Sequence, residues 1–92
     1  MLQHADESVR LRMLGNTLQE MDKFDEAIKS YEQAIKLNPD YAEAYSNKGN
    51  TLRRQFKLDE AIISYNKSIF LEFRWKSAGT AITTNNISIV MT

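Results

Sequence analysis

The chain repeats itself. Sliding it by 34 positions lays residues 8–41 over residues 42–75, and thirteen positions match, where chance at ordinary composition gives about two. Gly-Asn-Thr-Leu occurs at 15–18 and again at 49–52, and Asp-Glu-Ala-Ile at 25–28 and again at 59–62. Lys23/Lys57, Ser30/Ser64, Tyr31/Tyr65, Ile35/Ile69 and Leu37/Leu71 complete the identities, while Phe24/Leu58 and Tyr41/Trp75 change within type. A unit this short cannot bury an apolar face alone, so the copies must stack to make a core. About three units are usual, which leaves a pair one short.

Within each copy the apolar residues fall at helical spacing. Leu11, Leu14, Leu18 and Met21 recur at steps of three and four, and so do Phe24, Ala27, Ile28, Tyr31, Ala34 and Ile35. The pattern predicts helices over 8–21, 24–37, 41–55 and 58–72, an all-α architecture. Short turns between them make successive helices antiparallel neighbours. Gly15 and Gly49 interrupt the first helix of each copy, where glycine costs about 1 kcal/mol against alanine. Its presence in both copies predicts a tight crossing, with another backbone close by and Ala27 and Ala61 on the facing side.

The helix ends have local causes. Pro39, the one proline, cannot continue the second helix. Asp40 is placed to cap the third, with Glu43 three residues on to complete a capping box. Asp22 and Asp25 stand in the same relation to the second helix. Phe56 replaces Asp22 in the second copy, so the fourth helix is expected to start less sharply.

A helix–turn–helix unit at this period resembles the tetratricopeptide repeat family over residues 8–75. The first copy matches the family pattern at Leu11, Leu14, Gly15, Leu18, Ala27, Tyr31, Ala34 and Pro39. The second matches at Tyr45, Gly49, Leu52, Ala61 and Tyr65. It departs with Lys48 for a leucine, Ser68 for an alanine and Phe73 for the closing proline. The expected organisation is an N-terminal extension at 1–7, repeats at 8–41 and 42–75, and a tail at 76–92.

The resemblance implies a helix-turn-helix solenoid whose first helices line a concave groove, acting as a protein–protein interaction module that takes a peptide or partner protein there. The groove positions it implies are Val9, Arg12, Met13, Asn16 and Glu20, then Glu43, Ser46, Asn47, Asn50 and Arg54. Some family members hold a partner's terminal carboxylate with a cation, two asparagines and further cations from a third repeat. Arg12, Asn16 and Asn47 match the first part of that set, whereas Ser77 and Ala81 stand where the later cations would fall. Amide and guanidinium donors suit a carboxylate, so a partner with an acidic group is one expectation. The competing one gives the asparagines to helix-to-helix hydrogen bonds. Two other functions stay open: a regulatory or targeting part of a larger enzyme, and a self-associating homo-oligomer.

Composition narrows the field. Lys plus Arg and Asp plus Glu both total 12, so no global charge draws the chain to nucleic acid or an anionic membrane. Cysteine is absent, which removes disulfides and thiolate chemistry. The start shows neither a basic nor an apolar signal region, and no apolar stretch approaches the length of a spanning helix. A cytoplasmic location is the resulting expectation. His4 is the one histidine, in an end expected to fray, and no second ligand type clusters with it. The Asp25-Glu26 and Asp59-Glu60 pairs fit a helix first turn better than acid–base chemistry. Arg53, Arg54 and Lys57 read as a solvated helix end or a small basic patch, and the tyrosines as core. No phosphate loop, nucleophile–base pair or metal spacing occurs, so neither an enzyme nor a cofactor is expected. Residues 77–92 carry no charge. They read either as a capping helix begun by Ser77 or as two strands, 80–84 and 87–91, around an Asn-Asn turn.

Overall fold

The computed structural model of the chain describes residues 2–79, with side chains described over 7–74. The helices are α1 (Leu2–Glu20), α2 (Phe24–Leu37), α3 (Ala42–Arg54) and α4 (Leu58–Gly79), and the described residues contain no strand. The inner two lie within a residue of the expected bounds. The outer two are longer: α1 already includes His4, and α4 runs past residue 72 to Gly79. Ser77, expected to cap a tail helix, therefore lies inside α4. The competing helix and strand readings of 80–92 fall outside the described residues.

The two turns inside the repeats share one backbone. Lys23 N–H donates to the Leu18 carbonyl at 2.8 Å and Asp22 N–H to Gln19 at 2.9 Å; Lys57 to Leu52 and Phe56 to Arg53 repeat this at 2.9 Å each. Asp22 and Phe56 both sit at φ 63°. This is the left-handed closure of a helix C-terminus that hands the chain straight to the next helix. The expectation of a less sharp fourth helix is therefore wrong: α4 starts at Leu58 as α2 starts at Phe24. The turn is made by main-chain bonds, which Phe56 supplies as well as Asp22 does.

Aspartate capping is also corrected. With so short a link, Lys23 occupies the cap position before α2 and Tyr41 the one before α3, and neither makes a side-chain cap bond. The carboxylates reach across the fold instead. Asp22 accepts from Arg54 at 3.2 Å, Asp25 from Gln55 at 2.9 Å and Asp40 from Arg74 at 3.0 Å. Asp25, Glu26, Glu43, Asp59 and Glu60 remain in first turns, where negative charge complements the helix dipole.

Packing within each hairpin turns on a glycine under a tyrosine. A Cβ at Gly15 would stand 2.5 Å from Tyr31 Cε1, and one at Gly49 would stand 2.8 Å from Tyr65 Cδ1. The group over each glycine is thus an aromatic ring, not the backbone expected; the missing side chain makes room for a flat ring between the helices. The Tyr31 hydroxyl donates to Asn16 Oδ1 and the Tyr65 hydroxyl to Asn50 Oδ1. Ser30 Oγ donates to the Leu11 carbonyl at 2.7 Å, and Ser64 Oγ to the Tyr45 carbonyl at 2.8 Å. Ser68, the departure from alanine, donates to the Ala42 carbonyl at 2.9 Å. Ala27, Tyr31, Ala34, Ala44, Leu52, Ala61 and Leu71 form the buried apolar core.

Between hairpins, α3 packs on α2 and touches α1, while α2 and α4 do not meet. Helices touching on one side and spread on the other make a curved layer, with α1 and α3 on its inner face.

Candidate functional site

The inner face is closed along the α1–α3 seam by a ladder of polar contacts. At one end Arg12 Nε donates to the Tyr41 hydroxyl at 2.6 Å, with the guanidinium 5.7 Å from the ring centre. The Glu43 carboxylate lies 3.9 Å from the same nitrogen. Next, Asn47 Nδ2 donates at 3.1 Å to Asn16 Oδ1, the oxygen that also accepts the Tyr31 hydroxyl. The Thr51 hydroxyl donates to Gln19 Oε1. Arg54 ends the ladder, donating to the Gln19 carbonyl at 3.4 Å and to Asp22 at 3.2 Å, and lying 5.1 Å from the Phe24 ring centre. The rungs recur every three or four residues on each helix, which keeps them on one stripe.

Electrostatics follow from these bonds. The hydrogen bond that Arg12 donates to Tyr41 raises the Arg12 pKa above its usual value, against the opposing effect of burial. Burial pushes the Tyr31 hydroxyl up, because a phenolate would lose its hydration. Both arginines of the seam face a carboxylate, so the row is close to neutral.

The structure thus brings Arg12, Asn16, Glu43, Asn47 and Arg54 into one row, with Asn50 beside it bonded to Tyr65. Asn16 and Asn50 each accept a tyrosine hydroxyl through the carbonyl oxygen, leaving their amide N–H groups as donors. Val9 and Met13 are 39% and 55% exposed. Glu20 is exposed and Ser46 half-buried. Three seam residues were not anticipated: Gln19, Tyr41 and Thr51. Gln19 follows Asn16 by three and so shares its stripe, and Thr51 is part of the duplicated Gly-Asn-Thr-Leu; both signals were present. Away from the seam, hollows of about 390 and 320 Å³ flank Leu52 on the α2–α4 side, one lined by Ile28 and Glu32, the other by Tyr45 and Ile63.

A family model described as TPR repeat matches residues 15–55, and one described as tetratricopeptide repeat matches residues 42–72. Together they span 15–72, well over half of the chain. The chain belongs to the tetratricopeptide repeat family. A crystal structure of MamA is similar over 76% of this chain, with a TM-score of 0.73 and 26% identity. The tetratricopeptide pair spans 41% of that chain. No curated protein sequence matches significantly. The repeats imply a protein–protein interaction module in general, a fold that generally serves as a non-catalytic scaffold. Among the described residues, no helix is long and apolar enough to cross a membrane.

Proposed function

We propose that the α1–α3 face is the binding surface of this module, and that it takes a peptide carrying an apolar side chain and an acidic group. The observation that supports this is the hydrogen-bonded row itself. Its side chains are held in place by neighbours on two helices, so little ordering is left to be paid on binding. Val9 and Met13 offer the apolar contact at one end of the row. The amide donors of Asn16 and Asn50 offer fixed bonds to a carboxylate. Arg12 serves this site by setting the seam through Tyr41 and Glu43 more than by meeting ligand charge.

The test is fluorescence anisotropy on a library of short peptides, each with a free or an amidated C-terminus. Free carboxylates should bind more tightly, Met13→Ala should weaken every binder, and Asn47→Ala should weaken them by loosening the Asn16 rung. Binding indifferent to Met13→Ala, to Asn47→Ala and to amidation would overturn the assignment of this face.

A further inference from the structure

The α4 surface turned away from α3 carries Leu58, Ile62, Ile69 and Phe73, each at least 55% exposed, in one stripe of helical spacing. Ile63 and Phe70 extend it sideways and are likewise exposed. Shifted by 34, the first repeat shows what this surface is for. Phe24, Ile28 and Ile35 occupy the same places on α2, and there α3 packs and leaves them half-buried. Lys29 and Lys36, the counterparts of Ile63 and Phe70, stay exposed even so. One more repeat stacked in the same way would therefore leave Ile63 and Phe70 in water. The surface asks for a broader cover.

Head-to-tail stacking of identical chains meets an obstacle at the other end. The stripe that α3 turns to the first repeat includes Ala44 and Thr51, both fully buried, with Thr51 bonded to Gln19. On α1 the same stripe reads Arg10 and Thr17, both exposed, and Arg10 is paired with Glu7. Stacking would carry that ion pair into the seam where the internal interface has a methyl group.

We infer that the α4 surface binds the same surface of a second copy, in an antiparallel, two-fold-symmetric dimer. Positions 58, 62, 69 and 73 are symmetric about the midpoint between Tyr65 and Asn66. An antiparallel copy therefore sets Leu58 against Phe73 and Ile62 against Ile69, twice, as a closed two-fold contact requires. Asn66 falls near the axis, where amides can pair with each other. The same register sets Glu72 of the second copy opposite Asp59 and leaves Arg74 two residues along, so the flanking charges are mixed in sign, Asp59 with Arg74 being the favourable pair. Both residues are exposed; Arg74 already holds Asp40 at 3.0 Å.

The test uses the whole chain. Sedimentation velocity from micromolar concentrations upward should show a monomer–dimer equilibrium. Ile69→Glu should raise its dissociation constant roughly a hundredfold, because the symmetry removes the buried side chain twice. Far-UV circular dichroism should confirm that the variant keeps its helix content. As the chain has no cysteine, Asn66→Cys gives a second reading: mild oxidation should link it to itself, whereas Thr17→Cys should not link. A chain that stays monomeric throughout, its surface being covered by 80–92 or by another protein, overturns the inference. So does a dimer unmoved by Ile69→Glu, or a mixed Leu14→Cys/Asn66→Cys link, the mark of head-to-tail stacking, because the internal counterparts Lys48 and Glu32 pair at 3.1 Å.

Discussion

The two hairpins are built alike but are buried differently. Their turns share the same bonds and a left-handed residue at the same position; each has a tyrosine over a glycine and a serine on a carbonyl. Yet Thr17 is exposed where Thr51 is fully buried, and Ile28 and Ile35 are half-buried where Ile62 and Ile69 are exposed. Local geometry thus belongs to the unit, and burial to whatever lies next to it. That division is what a quasi-one-dimensional stack predicts. It also locates the unmatched surface of α4 by subtraction.

The strongest way to break the comparison is to fill the space under the tyrosines. Gly15→Ala should destabilise by about 1–3 kcal/mol through overpacking, against a helix-propensity gain of up to about 1 kcal/mol. A lowered melting temperature, by about 4–8 °C per kcal/mol, is the readout. Gly49→Ala should cost less, because its added methyl lies slightly farther from the ring and Tyr65 is only half-buried, so that ring has room to give. If both variants raise the melting temperature, the rings do not depend on the glycines and the shared packing motif is wrong.

A second comparison concerns the hydroxyls. Tyr31 is fully buried and its Asn16 acceptor also holds Asn47, so Tyr31→Phe disturbs both the hairpin and the seam. It should cost about 1–2 kcal/mol in chemical denaturation. Tyr65→Phe, whose acceptor Asn50 serves one hairpin, should cost less. The raised Tyr31 pKa adds a pH signature. The proton is held more tightly in the folded chain than at the unfolded value of 10.0. Its contribution is therefore full below that value and is lost as pH rises through the folded value. Alkaline titration should show falling stability above about pH 10, with a shallower fall in Tyr31→Phe.

Much of this was legible because helical period and duplication are local facts. The period located α2 and α3 to within a residue, and the repeated glycine and tyrosine announced a packing motif before its form was known. What the sequence concealed were relations across the stack. Asp22, Asp25 and Asp40 look like caps in a linear reading, since nothing in the sequence shows that Arg54, Gln55 and Arg74 come within reach. Asn16 and Asn47 read first as helix-to-helix hydrogen-bond groups and second as ligand donors; in the folded chain they bond to each other, which only three-dimensional proximity shows. Ala27 was expected to face Gly15, yet the group nearest to it is the Tyr31 ring, for the same reason: residue 31 reaches it only once the hairpin closes.

The smallest effect sharpens the comparison most cleanly. Asp22 and Phe56 hold the same φ of 63° at the same turn, a conformation that costs a residue with a Cβ about 1 kcal/mol and glycine almost nothing. Phe56 is 86% exposed, so its removal surrenders little packing, and Phe56→Gly should stabilise the chain by up to about 1 kcal/mol. Asp22→Gly relieves a lesser strain and also removes the carboxylate that holds Arg54 at the end of the seam, so its net gain should be smaller. Part of the difference between the two melting temperatures comes from aspartate tolerating the left-handed region better than phenylalanine; the part that added salt removes, by screening the pair, reports the Arg54 contact. Equal gains at both positions would mean that Asp22 contributes nothing across the seam. A loss on Phe56→Gly would mean that this phenylalanine is covered in solution, which its exposure in the isolated chain does not predict.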